Sequence, residues 1–259
     1  VSRQGQIKAA GYAFDPDQPR DEEGQWSEGG GGKEGSGSGK GSASDGALDR
    51  IKGATRYDAK SAGALKDKYD PWRSSLSDIE KESIQSYSGS DFYEVNTFYR
   101  DSEEFIKGTS RHDRTRFESV AKDVSAALDK SSTPEDIIVY RGMDLSKISG
   151  DNNLDLDKLV GKSFMDKGFS STSLTRNVAE RFATGEGFNK LGMRKGAVVE
   201  ILVPKGSKAA YLSDLSVFGT GNKGDQLEVL INRGTKYNVV GVVRSKSGKL
   251  PVVQVVVTQ

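Results

Sequence analysis

A chain of 259 residues has room for one ordinary domain and a tail, and its 38 basic against 37 acidic residues give no overall field to drive it onto nucleic acid or an anionic bilayer. It holds no cysteine, which excludes disulfides, thiol nucleophiles and Cys-ligated zinc. No apolar run approaches the length of a membrane span, and the N-terminus lacks the charged-then-apolar layout of a signal peptide, so the sequence reads as a soluble protein.

The chain begins at Val1, which points to a processed product or a cut from a longer polypeptide. Twelve of its 31 glycines fall in the first 50 residues, with the densest run from Gly29 to Ser42. Such a stretch has almost no apolar side chain to bury and much backbone entropy to lose on ordering. Residues 1–50 are therefore expected to form a flexible Gly/Ser-rich tether, and residues 51–259 one folded domain.

Helices come first. Leu76, Ile79, Ile84 and Tyr87 fall near one helical face, and Ser77-Asp78-Ile79-Glu80 has the form of a capping box. A second helix is expected over residues 93–106. A third carries Phe117, Val120, Val124 and Leu128 at intervals of 3, 4 and 4 and stops before Pro134. After Pro134 the period changes. Residues 137–140, 197–203, 227–231, 237–243 and 252–257 are short, β-branched runs separated by Gly, Pro, Ser or Asn turns, interrupted by one helix ending near Ala183. Helices followed by strands on short connections imply an α+β layout with a mainly antiparallel sheet.

Three blocks in or beside these strands carry chemistry: Tyr140-Arg141-Gly142, Phe169-Ser170-Ser171-Thr172-Ser173 and Gln226-Leu227-Glu228. A planar guanidinium suits a diphosphate, hydroxyls can orient a ligand or a carboxylate, and a carboxylate stabilises an oxocarbenium-like sugar. Each block has a plain alternative: an exposed strand-end arginine, a polar strand edge or cap, and an outward-facing strand glutamate. Gly142 is expected to let a ligand approach the backbone. Period-two alternation would set Gln226 and Glu228 on one face. His112, the only histidine, sits among charged residues and reads as a solvated surface group. The stretch Gly219 to Gly224 matches G-x-G-x-x-G but neither follows a convincing strand nor opens a helix, so it is read as a turn.

In order and context the three blocks resemble the R-S-E branch of the mono-ADP-ribosyltransferases, which includes the C3-like and binary clostridial toxins. Ala179 and Phe182 stand where the family's helix after Ser-Thr-Ser carries its buried Ala and Phe. The resemblance implies a helical layer packed on two mainly antiparallel sheets that form a β-sandwich core. It implies NAD+ as substrate, no metal, and a host protein as acceptor. Arg141 would anchor NAD+, with Gly142, Ser171, Thr172, Ser173, Phe182, Tyr93 and Asn96 around it. Ser171 would align Glu228, Glu228 would stabilise the ribosyl cation, and Gln226 would orient a non-arginine acceptor. Phe218, in the loop that recognises substrate in such proteins, is either a target-gripping aromatic or a packed one. The two tyrosines Tyr87 and Tyr93 are equally well explained by helix packing. The segment from Phe14 to Trp26 is similar to junctions in head-associated proteins of tailed bacteriophages, which implies virion association and delivery to a host cytoplasm. Two other functions stay open: an NAD glycohydrolase, and a non-catalytic virion or scaffold module that retains the fold.

Overall fold

The structure, a computed structural model, describes residues 43–100, 103–144, 156–184, 196–219, 226–244 and 250–258. The phage-like junction and most of the expected tether lie outside these residues. Within the stretch expected as tether, Ala43–Gly53 is helical (α1). Its apolar Leu48 and Ile51, one turn apart, pack with Ile138, Leu202, Val240 and Val256 of the strands.

The helical layer follows the sequence expectation with three differences. Helices α2 (Ala62–Lys68) and α3 (Asp70–Ser74) precede the capping-box helix α4 (Asp78–Ser86). In α4 the box forms as expected: Ser77 Oγ accepts from the Glu80 amide and the Glu80 carboxylate accepts from the Ser77 amide. Ile79, however, is 64% exposed. The inward face instead runs through Leu76, Glu80, Ser83, Ile84 and Tyr87, and the Glu80 carboxylate is held there by Lys130. The second expected helix is two, α5 (Phe92–Arg100) and α6 (Glu103–Gly108), and a π-helical turn, Tyr87–Asp91, joins α4 to α5. Helix α7 (Arg111–Asp129) buries Phe117, Val120, Val124 and Leu128, as their spacing requires.

The strands are β1 (Thr55–Arg56), β2 (Ile137–Asp144), β3 (Ser163–Asp166), β4 (Ser170–Ser173), β5 (Gly196–Val203), β6 (Ala209–Tyr211), β7 (Glu228–Ile231), β8 (Thr235–Val243) and β9 (Val252–Thr258). Helix α8 (Arg176–Thr184) leads from β4 toward β5. Among the described residues the hydrogen-bonded order is β3-β8-β9-β5-β2-β4-β7-β6, with β1 added beside β2. Most pairings are antiparallel, but β1–β2 and β5–β9 run parallel. The two expected sheets are continuous: β2 and β4 meet at the single registered position Tyr140↔Ser173. That junction brings the Arg141 strand against the Ser171 strand, and the β4–β7 pairing sets Ser173 opposite Glu228.

Most of the helical layer and the strands share the main core, while α1 and α8 pack onto the strands in two smaller clusters. Trp72 Nε1 donates to the Ala127 carbonyl at 2.8 Å, and the Tyr69 hydroxyl donates to the Ala209 carbonyl at 3.0 Å. Both partners are buried, where a lost hydrogen bond would cost about 1–3 kcal/mol. These bonds fasten the helical layer to itself and to the β6 edge beside the site.

Candidate active site

Arg141 does not close its strand as expected; β2 continues to Asp144, and Arg141 pairs within it against Val199 of β5. The side chain is 8% exposed and its Nη1 lies 3.4 Å from Asp166 Oδ2. Asp166, at the end of β3, also takes Arg100 on both oxygens, Nε at 2.7 Å and Nη2 at 2.8 Å. Ser170 Oγ and the Gly168 amide complete its shell, at 2.8 and 3.0 Å. Burial alone would raise the Asp166 carboxyl, but Arg100 and Arg141 hold it below the usual carboxylate range. Arg100 Nη2 also donates to the Phe169 carbonyl, tying α5 to the approach of β4.

The hydroxyls of β4 divide their work. Thr172 Oγ1 donates to the Val229 carbonyl at 2.6 Å, and Ser173 Oγ donates to the Gln226 carbonyl at 2.7 Å. One clamps the strand carrying Glu228 and the other holds Gln226, two residues ahead of it. The Ser171 hydroxyl lies 3.4 Å from the Tyr87 hydroxyl.

Glu228 opens β7 and is 8% exposed, with Ser216 Oγ donating to its Oε2 at 3.0 Å. Burial pushes this carboxyl up, against the opposing pull of the Ser216 and Ser171 hydroxyls. The alternation expected between Gln226 and Glu228 does not operate, because the strand begins only at Glu228 and Leu227 sits at φ 46°. That left-handed residue, unusual for a leucine, turns the chain so that both flanking side chains still line one cleft.

The cleft is lined by Arg141, Gly142, Ser171, Thr172, Ser173, Phe182, Gln226 and Glu228, all expected from sequence, together with Ser88, Phe92, Tyr140, Val178, Ala179 and Phe218. Phe218 is 40% exposed rather than packed away. Gly142 lines the wall, but what its missing side chain admits is helix α8: a Cβ there would lie 2.0 Å from the Ala179 carbonyl oxygen.

Tyr93 and Asn96 do not line the cleft. Asn96 is buried behind its wall with both ends of its amide engaged, Nδ2 donating to the Tyr87 hydroxyl at 2.8 Å and Oδ1 accepting from the Phe169 amide at 2.8 Å. His112 is exposed at the start of α7. The G-x-G-x-x-G stretch lies largely outside the described residues. Among the described residues no helix is long and apolar enough to cross a membrane, and no cluster of three or more His, Cys, Asp or Glu residues is arranged to hold a metal ion.

Sequence reasoning gave no role to Ser216, Ser88, Asp166 or Arg100. Nothing local marks Ser216, whose partner is twelve residues on across a loop.

The donor set fits a dinucleotide: a guanidinium for diphosphate, a hydroxyl and a buried carboxylate for ribose, and an apolar rim of Phe92, Phe182, Val178 and Phe218 for an aromatic base. The sequence profile described as ADP-ribosyltransferase exoenzyme matches residues 65–258. The chain belongs to this family and carries the domain of an NAD+-dependent mono-ADP-ribosyltransferase. It is 27% identical over 175 residues, 68% of this chain, to an NAD(+)–arginine ADP-ribosyltransferase of Enterococcus faecalis, and spans 31% of that protein's length. It is 30% identical over 192 residues to the epidermal cell differentiation inhibitor of Staphylococcus aureus, covering 66% of this chain and 75% of that one. The fold matches the crystal structure of C3stau2 from S. aureus with NAD at a TM-score of 0.60 and 22% identity, over 80% of this chain and 99% of that one. The expected α+β architecture is thus that of the C3-like ADP-ribosyltransferases.

Proposed function

We propose that the protein transfers ADP-ribose from NAD+ to a non-arginine side chain of a host protein and releases nicotinamide, as an R-S-E enzyme. The observation that carries this is the convergence of Arg141, Ser171 and Glu228 on one cleft with Gln226 beside them. The C1′–nitrogen bond breaks, its electron pair leaves with nicotinamide, and the ribosyl cation is captured by an acceptor nucleophile that gives up its proton. Arg141 anchors the diphosphate, and Gly142, Thr172, Ser173 and Phe182 form the wall around it. Ser171 orients Glu228, which accepts a hydrogen bond from the 2′-hydroxyl and so raises electron density as the cation develops. No step of this chemistry requires a metal.

Gln226 supports the acceptor assignment. A neutral amide neither attracts nor deprotonates a guanidinium, so the acceptor differs from the arginine of the enterococcal NAD(+)–arginine ADP-ribosyltransferase. The sequence from Phe14 to Trp26 supports delivery with a phage head. We read the residues before α1 as the connecting segment and α1 (Ala43–Gly53) as the first element of the catalytic domain, which sets the domain's start ahead of the boundary at residue 51 expected from the sequence.

Incubation with labelled NAD+ and a bacterial or eukaryotic lysate tests this. Wild type should label protein bands, and Glu228→Gln should not. Free ADP-ribose without labelled protein would make water the acceptor, and a protein that neither cleaves NAD+ nor shows a thermal shift with it would be a non-catalytic module.

A further inference from the structure

Ser216 follows the short 3-10 turn Ser213–Leu215 and is 6% exposed. A hydroxyl has one proton to give. Its oxygen accepts from the Phe218 amide at 3.3 Å, and its proton goes to Glu228 Oε2 at 3.0 Å. The two neighbouring residues are pinned as well. The Val217 amide donates to Ser88 Oγ, on the π-helical turn, at 3.1 Å, and the Phe218 carbonyl accepts from the Gln226 amide at 3.2 Å. Residues 216 to 218 are therefore tied to the carboxylate, to the helical layer and to the residue beside the proposed acceptor.

We propose that Ser216 is a positioning residue for Glu228, an inference that rests on the transferase reading: its hydroxyl fixes the carboxylate and makes its state depend on the loop that carries Phe218 being seated. A hydrogen bond donated to a carboxylate favours the charged form. Ser171 of β4 pulls the same carboxyl in the same direction, so two hydroxyls on separate elements oppose the upward push of burial without cancelling it. Arg141 of β2 lines the same cleft, and Tyr87 of the π turn is pushed upward by its own burial. The residues of β4 that line the cleft are Ser and Thr, and Asp214 of the 3-10 turn is engaged with Arg73 and Lys66. The carboxyl of Glu228 is thus the group whose charge follows the Ser216 bond.

The test is a carbon-13 titration of the Glu228 carboxyl in the protein without NAD+, with the resonance identified by its loss in Glu228→Gln. Ser216→Ala should move the midpoint up by about one pH unit, since a hydrogen bond to a charged group contributes roughly a factor of ten in the equilibrium. Ser216→Thr should bring it back. With NAD+, Ser216→Ala should lower kcat by about tenfold and shift the acid limb of its pH profile upward, with KM for NAD+ within about twofold. Ser216→Cys keeps the volume with a poor donor, and must shift the midpoint in the same direction if Ser216→Ala does not fold. An unmoved midpoint in either folded variant would overturn the proposal. Because the titration needs no substrate, a wild type that cleaves no NAD+ would sink the transferase reading and leave this test standing.

Discussion

Asp166 accepts both Nε and Nη2 of Arg100, at 2.7 and 2.8 Å, beneath the cleft wall that carries Arg141. One buried carboxylate therefore holds the structural arginine of α5 in a bidentate grip and stands 3.4 Å from the cleft arginine of β2. Asp166→Asn leaves two guanidinium groups without their buried counter-charge. Breaking a buried pair by removing one partner costs about 3–5 kcal/mol, so this variant should show that loss in urea unfolding. Sign follows from linkage. The folded carboxyl lies below its unfolded value, so its stabilisation is present above the ordinary aspartate range and is lost as pH falls through the lowered value. Acid unfolding of wild type should be steeper than that of Asp166→Asn.

Glu228 behaves in the opposite way. Burial lifts its folded pKa above the ordinary value of 4.5, so the folded state holds the proton more tightly and this group's contribution to stability falls as pH rises from 4.5 through the raised value. Glu228→Gln should melt no lower than wild type at neutral pH while losing NAD+ cleavage by about 10² to 10³-fold, the usual effect of removing such an electrostatic group. Calorimetry and nicotinamide release on the same preparations check both halves.

Asn96 is expected to matter for stability rather than contact with NAD+. Asn96→Ala strips a hydrogen bond from the buried Tyr87 hydroxyl and another from the Phe169 amide. The Tyr87 hydroxyl keeps the Ser171 hydroxyl at 3.4 Å, while the buried Phe169 amide loses its acceptor, so the variant should lose about 1–3 kcal/mol in chemical denaturation.

Gly142→Ala would drive a methyl into the Ala179 carbonyl and the Ala183 amide of α8, at 2.0 and 2.5 Å. Neither is a flexible side-chain tip, so the helix must move and take Phe182 with it. Overpacking of this kind costs about 1–3 kcal/mol or more. KM for NAD+ should rise as the wall opens, which steady-state kinetics would detect.

Gln226→Glu places a carboxylate beside Glu228 at the cleft. Labelling of a free guanidinium compound such as agmatine should appear in this variant and be absent in wild type, as read by mass spectrometry of the small-molecule product.

Much of the fold was legible in local periodicity. The α7 face from Phe117 to Leu128 and the β-branched runs of β5, β8 and β9 form where their spacing put them, because a 3.6- or 2-residue period reflects which side of an element faces the core. The Ser77–Glu80 box was equally local. Ile79 misled because the inward face of α4 runs through Glu80, whose carboxylate is paired with Lys130, fifty residues away. The alternation drawn across Gln226 and Glu228 failed because Leu227 is left-handed, a conformation that leucine does not announce.

The amino-acid order alone supplied the helices-then-strands layout and the candidate groups Arg141, Ser171, Gln226 and Glu228, since these depend on residue type and short-range pattern. Only the assembled molecule decided that Gly142 makes room for a helix, that Asn96 braces Tyr87, that Asp166 serves two arginines, and that Ser216 donates to Glu228. The physical reason is that hydrogen bonds and close packing join atoms within about 3–4 Å in space, while the residues that carry them are separated along the chain by loops whose path no local period encodes.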